Sequence, residues 1–124
     1  MKLTMLALAA LLAAAPVAAA ATAADDPVVL RTRENFRSAV GQTSPEGAVI
    51  RSIDAEEHAL VFRVAIPAGY NFPVELVAEA LSQGICANGE GASFFSEGRT
   101  LRVEMTPPDG PPRVSSRDSC PAPR

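Results

Sequence analysis

Leu60, Phe62, Val64 and Ile66 fall on one side of an extended segment and Val61, Arg63 and Ala65 on the other. That period of two is the mark of a half-buried β-strand. A second alternation runs through Leu101, Val103 and Met105, with Arg102 and Glu104 between them. The apolar residues Val74, Val77, Ala78, Leu81 and Ile85 recur instead at helical spacing. They predict a helix with Pro73 at its first turn, Glu75 and Glu79 towards its N-terminal side and Gly84 near its stop.

The rest of the chain completes two similar halves. A helix is expected over 31–40, capped by Thr32, stopped by Gly41 and carrying Phe36, Ala39 and Val40 on its apolar side. A strand at 49–53 is joined to the one beginning at Ala59 by a polar turn, 54–58, too short for a parallel return. After the second clear strand, the proline-rich run 107–112 turns the chain into a return strand at 113–118. The element order is therefore α-β-β-α-β-β. It implies an α+β fold: a mainly antiparallel four-stranded sheet with both helices on one face. A small β sandwich is the rival, because the two hairpins are more strongly marked than the first helix.

The first 24 residues change how the composition is read. Lys2, a run of apolar residues from Leu3 to Ala15 and an alanine-rich tail after Pro16 match the three regions of a secretory signal peptide. A spanning anchor needs a longer run of larger side chains, so no stable membrane insertion is expected after cleavage. That leaves 25–124 as a single small domain, with 39 apolar residues in 100 rather than the 48% of the whole chain. Its core is modest. Ten arginines against fourteen acids, interspersed, leave no basic stripe for phosphates, so nucleic acid is not an expected partner.

Cys86 and Cys120 are the two cysteines. In an oxidising compartment a single pair is expected to form a disulfide, and its wide spacing is unlike a Cys-x-x-Cys redox motif. Closing a loop of about 35 residues stabilises a fold by about 3–4 kcal/mol.

A catalytic set does not emerge. His58 stands beside Glu56 and Glu57, but none of Ser82, Ser93 or Ser96 is selected as its nucleophile. Asp54, Glu56 and Glu57 lack the ligand pattern of a calcium loop, and one histidine cannot build a zinc site, so neither metal nor cofactor is expected. The glycines around Glu90 lack the Lys-Ser/Thr ending of a phosphate loop. Aromatic residues flanking polar segments offer a different chemistry. Tyr70, Asn71 and Phe72, followed by Phe94 and Phe95, are the candidate protein-binding residues, with core coverage as the competing role.

Cys86, Phe95, Gly98, Arg102, Gly110, Val114 and Cys120 mark the last 40 residues. On these landmarks the chain resembles small exported bacterial proteins of unassigned activity, in which a cysteine after a helix pairs with one closing a short β hairpin. The resemblance implies an exported α+β domain and no particular mechanism. The expected role is a periplasmic or secreted binding or accessory protein with a cell-envelope protein as partner. An enzyme inhibitor or immunity-like protein is the first alternative, and a small hydrolase using His58 or a carboxylate the second.

Overall fold

The computed structural model describes residues 26–87 and 91–121; residues 1–25, which include the expected leader, residues 88–90, where a glycine-containing loop is expected, and the last three residues lie outside them. The order of elements is α1 (Pro27–Asn35), β1 (Val49–Glu56), β2 (Ala59–Ala65), α2 (Val74–Ala87), the single turn α3 (Gly91–Phe94), β3 (Thr100–Thr106) and β4 (Arg113–Arg117). Apart from α3, this is the α-β-β-α-β-β order that the sequence pattern predicts. The four strands form one sheet in the order β1-β2-β3-β4, open at both edges, so the sandwich is excluded.

Two of the three pairings are antiparallel and the central one, β2 with β3, is parallel. Its cause is the connection: α2 carries the chain back along the sheet, so β3 starts beside the start of β2. In register, Leu60 lies beside Leu101, Phe62 beside Val103 and Val64 beside Met105. These six side chains share the helix-covered face, and five of them are wholly withdrawn from solvent. Burying each contributes about 1.5–3 kcal/mol. From α1 comes Val29, and from α2 Val74, Ala78 and Ile85. Phe36, just past α1, meets Phe62 edge to face, with ring centroids 5.5 Å apart.

Three boundaries differ from the expectation. The first helix starts at Pro27 and is capped by Asp26, whose Oδ1 accepts from the Val28 amide at 3.0 Å. Thr32 lies inside that helix, buried, its hydroxyl turned back onto the Val28 carbonyl at 2.8 Å. An aspartate before a proline is a helix-start signal, because the carboxylate satisfies a free amide and proline has none to satisfy. Val40 falls outside the helix and is exposed. In the first hairpin, Asp54 and Glu56 belong to β1, and the turn shrinks to Glu57 and His58, with Glu57 in the left-handed region (φ 51°). Finally, α2 runs past Gly84 to Ala87, carried on by the burial of Ile85. Gly84 is no stop but a close approach, with the Phe36 ring above it.

Candidate functional site

The parallel pair places the C-terminal ends of β2 and β3 and the start of α2 at one end of the sheet. The Ile66 amide donates to the Thr106 carbonyl at 3.0 Å, the last rung before the two chains part. Pro67, Ala68, Gly69 and Tyr70 then form a tight turn, closed by the Tyr70 amide on the Pro67 carbonyl at 3.2 Å. Gly69, with φ 83°, supplies the positive angle that such a turn requires at its third position. Across from it, the β3–β4 connection contributes Pro107, Pro108, Pro111 and Pro112, and a cleft of about 390 Å³ separates the two loops. Five prolines thus frame this end of the sheet, each with a fixed φ.

Tyr70 and Phe72 stand on this frame with ring centroids 5.6 Å apart and planes tilted by 59°. Phe72 is 41% exposed, and Leu76, in the first turn of α2, is 51% exposed. Asn71, between the aromatic pair, is exposed as well. Behind Tyr70 lies a groove of about 320 Å³, with Ile50, Val64, Val77 and Leu81 among its apolar walls and Glu46 among its polar residues. Burial first, and the negative charge of Glu46 second, push the Tyr70 hydroxyl above its usual pKa, so it stays a neutral donor. A half-buried tyrosine, an exposed phenylalanine and an apolar groove can receive an apolar or aromatic side chain of another molecule.

The face of the sheet opposite the described helices carries a different chemistry. Arg63 binds Asp54 (2.6 Å), Glu56 (2.9 Å) and Glu104 (3.2 Å), while Arg102 binds Glu56 (2.8 Å) and Glu104 (3.1 Å). Arg63, Glu56, Arg102 and Glu104 therefore close a ring of alternating charge. Val61 shares their face of the sheet and is wholly buried, although the described helices pack on the opposite face. The arginine stems and carboxylates around it supply the cover that a second layer would otherwise provide. Contact with Arg63, although opposed by burial, holds the Glu56 carboxyl below its usual pKa. At Asp54 burial pushes upward, but the Ser52 hydroxyl and Arg63 outweigh it and the net direction is down.

This ring accounts for Glu56 beside His58, while Glu57 is an exposed turn residue. A hollow of about 540 Å³ is lined by Glu56, Glu57, His58, Ala59, Thr100 and Arg102. Glu56 is held there by two arginines, His58 is an exposed turn residue, and Thr100 carries the one hydroxyl side chain of the lining. Ser82 is buried against the Glu79 carbonyl, and Ser96 donates to the Ser93 carbonyl. Among the described residues no three His, Cys, Asp or Glu side chains converge on a point where a metal ion could sit.

The five aromatic-loop residues do not form one surface. Tyr70, Asn71 and Phe72 lie at the C-terminal ends of the parallel strands, whereas Phe94 and Phe95 precede the start of β3. Phe94 is fully buried and packs edge to face on the half-buried Phe95, with centroids 5.0 Å apart. Cys86 and Cys120 are joined, with Cα atoms 6.0 Å apart, and tie the end of α2 to the chain just past β4. Among the described residues no helix is long and apolar enough to cross a membrane.

Two groupings escaped the sequence reading, the arginine ring and a buried pair formed by Arg99 with Asp26. The first was encoded in parity, because Asp54, Glu56, Arg63, Arg102 and Glu104 all occupy out-facing strand positions. The second joins residues 73 apart, and no local pattern announces it.

No protein-family model matches the chain, and no curated protein matches it. Among solved structures it is similar to a candidate secreted protein from Pseudomonas aeruginosa, with a TM-score of 0.56 and 14% identity. That match covers 80% of this chain and 96% of the other, so the two share a fold over nearly the whole of the Pseudomonas protein. The type II secretion system pilotin AspS from Vibrio cholerae is also similar, with a TM-score of 0.48 and 16% identity over 77% of this chain and 94% of its own.

Proposed function

We propose that residues 25–124, released by cleavage of the 1–24 leader, form one small exported domain that acts by binding another protein of the cell envelope. Its compartment is the periplasm or the exterior. The leader pattern, the Cys86–Cys120 bridge and a fold shared with a secreted candidate support export. The observation that carries the binding role is the Tyr70–Phe72 ring pair, held beside an apolar groove by a proline-framed turn. A contact surface whose backbone is already ordered loses little conformational entropy on binding, and aromatic anchors dominate such interfaces.

The test is capture of an envelope partner by the oxidised mature protein, compared with its Tyr70→Ala/Phe72→Ala variant. Hot-spot aromatics carry about 2–4 kcal/mol each, so the variant should bind at least about thirtyfold more weakly while keeping its far-UV spectrum. Equal capture by the two proteins, or no saturable partner, would overturn the reading.

A further inference from the structure

The two edges of the sheet are not alike. Along β1 the first half of the outer edge is occupied: Thr43 bridges to Val49, the Gly41 amide donates to the Ile50 carbonyl at 2.8 Å, and the register slips at Arg51. Beyond β4 no strand follows among the described residues. Yet β4 is not left to fray. Pro111 and Pro112 stiffen its entry, and the Cys86–Cys120 bridge fastens the chain three residues past Arg117. A short strand held at both ends, with no strand on its outer edge among the described residues, is a template for another strand.

Its side chains define what can pair there. Arg113 and Arg117 lie in register with Met105 and Leu101 and so share one side of the sheet, with Ser115 between them. Val114, 51% exposed, and Ser116 occupy the other. Arg37, Arg63, Arg99 and Arg102 are all committed to carboxylates. Arg113 and Arg117 form no ion pair among the described residues; Arg113 reaches the Tyr70 carbonyl at 3.5 Å. Asp109 and Asp118 flank the strand in sequence, and the chain as a whole has a net charge of −3. Two arginines without a carboxylate partner thus stand on one five-residue strand, and they give this edge positive charge on an acidic chain.

We propose that β4 accepts a fifth strand, an extended segment of a partner protein carrying acidic side chains opposite Arg113 and Arg117. A second copy of this chain is the wrong occupant. Antiparallel pairing of two β4 strands about Ser115 sets Arg113 opposite Arg117 twice, and like charges directly opposed across a ladder are destabilising. An acidic strand reverses that sign and presents alternate side chains to Val114. The inference rests on the protein-contact reading above; its surface is the β4 edge rather than the Tyr70 and Phe72 rings, and the two meet only where Arg113 reaches the Tyr70 backbone carbonyl.

The probe is a fluorescein-labelled nine-residue peptide with glutamate at alternate positions and valine or threonine between, titrated with the oxidised mature protein and followed by anisotropy. Saturable binding is expected, weakening about tenfold in Arg113→Glu/Arg117→Glu. The same variant should instead bind the lysine version of the peptide, and the wild-type complex should protect the backbone amides of residues 114–116 from hydrogen exchange. Should the double reversal unfold the protein, Arg113→Gln/Arg117→Gln provides the same comparison at smaller charge change. Of two peptides N-methylated on the two sets of alternate amides, one must lose binding. Equal binding of both would reduce the effect to charge alone and overturn the proposal, as would no saturable binding or concentration-dependent self-association through β4. The Tyr70→Ala/Phe72→Ala variant should bind the peptide as wild type does, so failure of one surface does not imitate failure of the other.

Discussion

Arg99 Nε donates to Asp26 Oδ2 at 2.7 Å, joining the cap of α1 to the residue before β3. Asp26 is fully used: Oδ1 takes the Val28 amide, its carbonyl takes the Leu30 amide, and Oδ2 takes Arg99. Arg99 is equally committed, donating also to the Ser93 and Ser96 carbonyls and to Glu97. Their side chains are only 10% and 15% exposed, so removing one leaves a buried charge without its counterion. Arg99→Ala is expected to cost about 3–5 kcal/mol in urea unfolding, and Asp26→Ala a similar amount because the cap goes too. A loss below about 1 kcal/mol for either would show that the pair is solvated and of little consequence.

Stability should fall in acid. The hydrogen bond from Arg99 is the largest influence on Asp26, and despite opposing burial it holds the carboxyl below its usual range. Asp54 and Glu56 are shifted the same way. For carboxylates lowered in the folded state, the stabilisation is fully present above their unfolded pKa and disappears as pH falls through the folded one. The urea midpoint should therefore stay level from neutral pH to about pH 5 and decline below it. Asp26→Asn should flatten part of that decline, and a midpoint that rose on acidification would contradict the assignment.

The charged ring predicts coupling rather than large single effects. Its members are 23–40% exposed, so one pair contributes about 0–1 kcal/mol and is weakened by salt. Arg63 has three carboxylate partners and covers Val61, so Arg63→Ala is expected to cost about 1–2 kcal/mol. Arg63 and Arg102 share Glu56 and Glu104. Their double-mutant cycle should depart from additivity by more than about 0.5 kcal/mol, and additivity within about 0.3 kcal/mol would dissolve the ring into independent pairs.

Reducing the disulfide should cost about 3–4 kcal/mol, the loop-closure value for a sequence separation of 34. Hydrogen exchange should accelerate first in β4, which has a single strand neighbour. Uniform acceleration across the sheet would mean that the bridge stabilises the whole fold without locally holding its edge.

Two glycines should respond oppositely to alanine. Gly84 sits inside α2, and an added Cβ would meet the Phe36 ring at an ordinary 3.5 Å. Gly84→Ala is therefore expected to stabilise by about 0.5–1 kcal/mol. Gly47 has φ 96°, and its Cβ would lie 3.0 Å from Pro67 Cγ. Gly47→Ala should destabilise by about 1–2 kcal/mol, and thermal melts of the pair give both signs in one experiment.

Local pattern carried most of the fold. The alternation in β2 and β3 and the stripe of α2 were legible because each buries one face against the same layer, and burial imposes the period. The start of α1 was legible too, in Asp26 and Pro27, but the apolar spacing around Phe36 pointed further along the chain. Phe36 does enter the core, although from beyond the helix, through its edge-to-face contact with Phe62. At the candidate site, Tyr70 and Phe72 could be singled out as aromatic residues in a turn. Their pairing, and the separation of Phe94 into the core, followed from packing.

By itself, then, the sequence determined the kind and order of the elements, the pairing of the two cysteines and the absence of a recognisable catalytic motif. These follow from short-range period, covalent chemistry and residue type. Tertiary structure alone decided that β2 and β3 run parallel, that five charged residues gather on the face of Val61, that Asp26 meets Arg99, and that β4 is an edge strand with no further neighbour among the described residues. Each of those depends on which distant segments the sheet brings side by side, and strand order is set by how the helices cover one shared apolar face.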